Sequence, residues 1–199
     1  MKIGYYVQGA ADEAFVHGLA DRWCPRAELA EGKFRGSSRE SFRREISKAL
    51  HDLRDNHNCD VLVVLTDSDA ARWREVKRHE WQRMPEDCHH MSVFGVADRN
   101  IECWLALDRE ALAHELGCLA DEIPNDNPSG FVKNRFEIGV RGKEREKAKK
   151  RIQRFVANVS MRTWIQESES FEDFYKDIRN LTAKQKCQIP NELEDRYYG

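Results

Sequence analysis

The stretch Val61-Leu62-Val63-Val64-Leu65-Thr66-Asp67-Ser68-Asp69 decides the fold of this chain. Its aliphatic residues run without a polar break, and Val61, Val63 and Val64 are β-branched. Such a run predicts a strand covered on both faces, as in a parallel sheet, because a half-wet strand would alternate. In open α/β sheets, ligands bind outside the carboxyl ends of the strands. Asp67 and Asp69 stand at that end with one residue between them, where both carboxylates can hold a hard divalent cation. The other reading of the pair is a strand-end turn, in which Asp is common for its local hydrogen bonds.

Upstream, residues 2–8 (Lys-Ile-Gly-Tyr-Tyr-Val-Gln) read as a first strand, followed by the turn Gly9-Ala10-Ala11. A helix with Phe15, Leu19 and Trp23 toward one face comes next, then a weaker extended segment, Glu28–Phe34. Ser37 with Glu40 fits a capping box for a helix carrying Phe42, Ile46, Ala49, Leu50 and Leu53. Downstream, residues 70–83 read as a charged helix and Met91–Ala97 as a short strand ending at Asp98-Arg99-Asn100. Strands alternating with helices predict an α/β fold with a mainly parallel central sheet of about four strands, flanked by helices and joined by right-handed crossovers. Beyond Asp108 the strand signals fade. Residues 119–130 read as a loop, and helices are expected at about 142–158 and 171–182, the second capped by Ser170 with Asp173. The expected organisation is an α/β core over 1–108 and a helical C-terminal extension over 109–199, packed on that core.

Length and charge set further bounds. A chain of 199 residues suits one domain, or one core with an extension. Its net charge of -2, with 34% charged residues, gives no general push toward nucleic acid, so any such case rests on local clusters. No apolar stretch approaches the roughly 18 residues of a membrane span, and Met1–Val7 is too short for a secretory core. A cytoplasmic protein without a membrane partner is expected. The six cysteines are scattered with no C-x-x-C pair, which reads as free, mostly buried thiols. A zinc alternative would combine Cys88 and His89 or His90 with His114 and Cys118.

Several residues can carry chemistry. Asp12 and Glu13 follow the first strand across a small-residue turn, and Asp98 and Glu102 follow the strand ending at Ala97. Glu102 lies in the otherwise apolar run Ile101-Glu102-Cys103-Trp104-Leu105. A carboxylate there is costly to bury unless something pairs with it: a cation, or Arg99 in a salt bridge. The main basic cluster, Arg141 to Arg151, would pack its apolar face inward and leave Arg141, Lys143, Lys147, Lys150, Arg151 and Arg154 for phosphates, or simply for solvent. Trp73 and Trp81, set among Arg72, Arg74, Lys77 and Arg78, can stack single-stranded bases or pack the helix.

Taken together, Val7-Gln8-Gly9-Ala10-Ala11-Asp12-Glu13, Leu65-Thr66-Asp67-Ser68-Asp69 and Asn100-Ile101-Glu102-Cys103-Trp104-Leu105 resemble the Toprim-like family, in particular small bacterial Toprim proteins and OLD-type nucleases of phage-defence systems. The resemblance covers roughly the first 108 residues, with its parts in the family's order. It implies a Toprim-like fold and a metal-dependent nuclease, a hydrolase of phosphodiester bonds, with Mg2+ or Mn2+ as cofactor. Asp67, Asp69, Glu102 and Asp12 would hold the metal, and Gln8 and Glu13 would complete the catalytic set. It also implies antiviral defence beside an ABC/AAA-type ATPase partner, DNA or RNA as substrate, and leaves homo-oligomer formation open. The chain has no Gly-x-x-x-x-Gly-Lys-Ser/Thr loop, so ATP chemistry would belong to the partner. One departure stands out: Gln8 occupies the position of the family's glutamate, and an amide accepts no proton at neutral pH. Either Asp12 or Glu13 takes over that role, or the chain is a catalytically inactive Toprim-fold binding or regulatory module. Two other Asp-x-Asp classes fit poorly: HAD-type phosphatases place the motif on the first strand, and nucleotide-sugar transferases are usually longer.

Overall fold

Strands β1 (Lys2–Tyr6), β2 (Glu28–Glu31), β3 (Val61–Asp67) and β4 (Ser92–Ala97) form one four-stranded sheet in the order β2-β1-β3-β4 in the computed structural model. Every pairing is parallel, with Tyr6 beside Val64 and Asp67 beside Ala97. The structure describes residues 1–33, 38–183 and 187; Ser37, half of the expected capping box, lies outside them.

The helices are α1 (Ala10–Trp23), α2 (Arg39–Asp55), α3 (Trp73–Trp81), α4 (Ile101–Leu105), α5 (Arg109–Leu116), α6 (Ser129–Arg135), α7 (Lys143–Asn158), α8 (Met161–Glu167) and α9 (Glu169–Thr182). The result is an α/β sheet flanked by helices with a C-terminal helical stretch, the class that the strand–helix alternation predicts.

Alternation along the strands explains why the third strand is apolar throughout. Tyr5, Val61, Val63 and Leu65 face a core shared with Phe15 of α1, Trp104 of α4, Val156 of α7 and Phe171 of α9. Tyr6, Leu62, Val64 and Phe94 face the opposite core, with Phe42, Ile46 and Leu50 of α2 and Val76 of α3. With both faces covered, neither parity can be polar. The first core mixes residues from both sides of Asp108, because the C-terminal helices provide much of the layer over that face. Two glycines permit the close approach. A Cβ on Gly18 would lie 2.6 Å from the Gln153 carbonyl of α7, and one on Gly95 would lie 2.7 Å from the Phe174 ring of α9.

The chain leaves β1 through α1 to β2 on one side, then returns through α2 on the opposite face to β3 on the other. Opposite faces and opposite directions give both crossovers the same hand, as parallel βαβ units require. The strand order therefore reverses between β1 and β3, and their carboxyl ends diverge around a crevice.

Local expectations need four corrections. Ser38 caps α2, its Oγ accepting from the Ser41 amide at 3.2 Å. Ser168 rather than Ser170 caps α9, while Ser170 Oγ accepts from Trp104 Nε1 at 2.9 Å. The expected loop over 119–130 contains a 3-10 turn, Ala120–Glu122, and the start of α6. Finally, Cys24 and Cys187 form a disulfide with Cα atoms 5.1 Å apart, leaving Cys59, Cys88, Cys103 and Cys118 as free thiols. No spacing rule could signal a pair 163 residues apart. Among the described residues, no helix is long and apolar enough to cross a membrane.

Candidate metal centre

Three elements deliver a carboxylate to the crevice where the strand order reverses. Gly9 caps α1 in an extended conformation, and its amide donates to Asp12 Oδ2 at 2.8 Å. The Gln8 amide also donates to Asp12, so the carboxylate is fixed over the helix N-terminus, with Asp12 only 6% exposed. Asp67 ends β3 on the same parity as Val63 and Leu65, facing the α1 side. Its Oδ1 accepts from the Ile101 amide at 3.1 Å, which joins the strand end to α4. That short helix begins at Asn100, whose side chain accepts from the Cys103 amide, and it turns Glu102 inward to 4% exposure. Glu102 is met by Lys133 of α6, Nζ to Oε2 3.7 Å, and by the Ser129 hydroxyl.

The electrostatics of the three acids are mutually unfavourable. Burial, followed by the charges of Asp67 and Glu102, holds Asp12 well above the usual carboxylate range against the pull of the backbone amides. Asp67 is pushed up to about 7, first by burial and then by Glu102 and Asp69, with Lys133 acting in the opposite direction. Glu102 is raised by burial and eased downward by Lys133. Lys133 thus acts on Asp67 and Glu102, and both of those acids act on Asp12. The donor set is all oxygen, which suits a hard divalent cation such as Mg2+ or Mn2+. A cation here would offset the burial that raises all three carboxyls and the repulsion that adds to it at Asp12 and Asp67.

The remaining expected site residues lie elsewhere. Asp69 adopts a left-handed φ of 55°, and its exposed side chain lies 3.4 Å from Arg39 Nη1 instead of joining the cluster. Glu13, one position past Asp12 on the helix, turns toward α7 and pairs with Lys149 at 2.6 Å. Of Asp12 and Glu13, Asp12 alone faces Asp67 and Glu102. Gln8 follows β1 with its Nε2 buried and, among the described residues, without a partner. Asp98 is exposed at the end of β4, beside a cavity of about 540 Å3 bordered by Trp73, Arg99, Trp104 and Glu169. Arg99 donates to the Asp126 carbonyl rather than pairing with Glu102.

The basic cluster is partly neutralised. Arg151 Nε and Arg154 Nη2 each lie 2.9 Å from Glu115 Oε1, and Lys147 lies 2.7 Å from Glu144. Arg141, Lys143 and Lys150 are exposed. On α3, Arg74 pairs with Glu169 and Lys77 with Asp173 and Asp177 of α9, while Trp73 and Trp81 pack partly into the core. The zinc alternative fails geometrically. Cys88 belongs to the core on the α2 face, and Cys118 packs against the opposite one. Elsewhere His51, Asp87 and Cys88 bring one ligand atom each within 4.8 Å of one another, closer than the three carboxylates come. Arg54 already donates to both Asp87 and Cys88, so that group is neutralised from within.

Lys133, Ser129 and Arg39 carry no sequence signal for the site, since their approach depends on tertiary packing alone. No family model matches this sequence, and neither a curated protein nor a solved structure matches the chain.

Proposed function

We propose that this protein is a metal-dependent, Toprim-type nuclease or related phosphoryl-transfer protein acting on nucleic acid, with Asp12, Asp67 and Glu102 as its metal ligands. The observation that carries the reading is the placement of three acids at the ends of β1 and β3: Asp12 and Glu102 are buried, and half-buried Asp67 is tied to the start of α4 by the Ile101 amide. A structural turn would need only one acid, and it would not bury two more beside it. A hard divalent cation held there supplies charge neutralisation for a phosphodiester and eases deprotonation of an attacking water. Asp12, rather than Glu13, is the carboxylate that would stand in for the family's glutamate among those ligands. Lys133 steadies Glu102 and keeps the cluster from carrying its full negative charge. Exposed Arg141, Lys143 and Lys150 would draw the polyanion toward the molecule. The resemblance further supports a role in phage defence beside an ABC/AAA-type ATPase.

Gln8 favours a second reading, a catalytically inactive Toprim-fold module that binds metal or a partner without turnover. The test is Mg2+- and Mn2+-dependent cleavage of plasmid and of tRNA by the natural protein and by Gln8→Glu. Cleavage by either form that disappears with Asp67→Ala supports the nuclease. Metal binding without cleavage by either form, partner included, leaves the inactive module. Unchanged Mn2+ binding by Asp67→Ala/Glu102→Ala would remove the metal centre from both readings.

A further inference from the structure

Helix α3 carries two adjacent stripes, Trp73, Lys77 and Trp81 at helical spacing and, one step round, Arg74 and Arg78. Both stripes border one cleft of about 380 Å3, which Asp173 of α9 borders from the other side. Trp73 and Trp81 are partly exposed, and each ring is held in place: the Arg74 guanidinium lies 4.7 Å over Trp73, and the His89 ring lies 4.7 Å from Trp81. At Trp73 the cleft meets the cavity at the end of β4, and at Lys77 and Trp81 it meets a second cleft of about 380 Å3, bordered by Asp177 and Asn180 of α9. The furrow between α3 and α9 thus has two aromatic rings between unlike edges. On the α3 edge, Arg78 is exposed and its guanidinium has no partner among the described residues, while Arg74 is tied to Glu169. On the α9 edge, Asp173 and Asp177 each hold Lys77 through Oδ2, which leaves their Oδ1 atoms as acceptors.

We infer that this furrow binds single-stranded nucleic acid, with bases stacked on Trp73 and Trp81, phosphates toward Arg74 and Arg78, and base edges donating to the α9 carboxylates. The inference deepens the proposed function by naming its substrate class, and rests on that reading. A single strand has the same asymmetry as the furrow: one edge is anionic, and the other carries amino and imino donors. Stacking on a fixed aromatic ring is open to every base, because every base has a π-face. A duplex offers neither feature, since its bases are already paired and stacked. The Arg74–Glu169 pair is no obstacle, because both side chains are about two-thirds exposed and such pairs hold weakly against a competing phosphate. The carboxylates of α9 repel phosphate, which fixes the orientation of the strand across the furrow.

The experiment uses the full chain in EDTA, to hold off cleavage, and an oligonucleotide of roughly 12 nucleotides as single-stranded DNA, single-stranded RNA and DNA duplex. Intrinsic tryptophan fluorescence reads stacking, because Trp23, Trp104 and Trp164 are at most 1% exposed and only Trp73 and Trp81 can meet a base. Fluorescence anisotropy of the labelled oligonucleotide reads affinity. Single strands should quench the natural protein and bind it more tightly than the duplex. Trp73→Leu and Trp81→Leu should each lose part of the quenching and weaken binding about five- to a hundredfold. Arg78→Ala, an exposed change that spares the fold, should weaken binding about two- to tenfold and reduce the salt slope by about 0.7. The exposed-cation control Lys48→Ala should match the natural protein. Binding without quenching overturns the furrow, as does a duplex bound as tightly as the single strand. An unchanged affinity and salt slope in Arg78→Ala also overturns it. Mn2+ binding by the natural protein, read separately by electron paramagnetic resonance, with no oligonucleotide bound overturns the furrow and leaves the metal centre standing. Quenching by single strands without Mn2+ binding overturns the metal centre and leaves the strand-binding furrow.

Discussion

Replacing Asp67 by asparagine should stabilise the metal-free protein in alkaline solution and leave it almost unchanged in acid. Burial and the neighbouring charges of Glu102 and Asp69 push the Asp67 carboxyl from 3.8 up to about 7. In the folded chain the proton is therefore kept over a pH range in which the unfolded chain has already lost it. The stability gained from that proton is complete below about pH 4 and is lost as pH rises through about 7. A displacement of about three pH units, at about 1.36 kcal/mol each, corresponds to roughly 4 kcal/mol. Solvent entering the crevice relaxes part of this, so about 2–4 kcal/mol separates the two proteins at pH 8. For a chain of this length the gain amounts to roughly 5–15 °C in melting temperature. The substituted side chain keeps an oxygen for the Ile101 amide, so the strand-to-α4 link survives.

Thermal unfolding followed by circular dichroism in EDTA, at pH 5 and pH 8, reads the effect directly. Added Mn2+ should then raise the melting temperature of the natural protein at pH 8 and do little for Asp67→Asn. Equal melting of the two proteins at pH 8 in EDTA would refute the reasoning, because the carboxylates would then not be crowded. At pH 5 the unfolded carboxyl is already ionised while the folded one is not, so roughly a third of the gain is expected there, and a gain of the same size as at pH 8 would refute the reasoning too.

Two further substitutions probe the surroundings of the cluster. Lys133→Met keeps much of the stem but removes the cation beside Glu102, so Mn2+ affinity at pH 8 should rise roughly three- to tenfold by titration calorimetry. An unchanged or weaker affinity would mean that Lys133 does not compete with the metal. Glu115→Gln withdraws the negative charge shared by Arg151 and Arg154, so non-specific oligonucleotide binding should tighten at low salt and its salt slope should steepen by about one. Anisotropy titrations from low to moderate salt measure that slope, and an identical slope would exclude α7 from the phosphate path.

The parts legible in the sequence are those governed by local periodicity. The aliphatic run Val61–Leu65 could only be a strand covered on both faces, and its position between helical patterns gave the parallel sheet. The spacing of Ala148, Ile152 and Phe155 located α7 for the same reason. Glu102 was conspicuous because a lone acid in an apolar run demands a partner. What could not be read is what tertiary packing decides. Lys133 reaches Glu102 from a segment with weak periodicity, and Glu115 reaches Arg151 and Arg154 from another helix. The basic character of residues 141–154 is visible in the sequence, but its neutralisation is not. Glu13 and Asp12 are adjacent in sequence, yet one helical step of about 100° sends one to Lys149 and the other to the crevice.

The Asp67-Ser68-Asp69 pair illustrates the same limit at the centre of the site. Two residues apart on a continuing strand, both carboxylates would face one way and could share a cation. The strand ends at Asp67, however, and the left-handed turn at Asp69 swings the second carboxylate to Arg39. Each acid therefore serves a different side of the strand end: Asp67 lies with Asp12 and Glu102, and Asp69 pairs with the Arg39 guanidinium. Carboxylates crowded in this way are unfavourable in the metal-free fold, and a fold selected only for stability would have removed them. The proposed cation would offset that cost at the point where the strand order reverses.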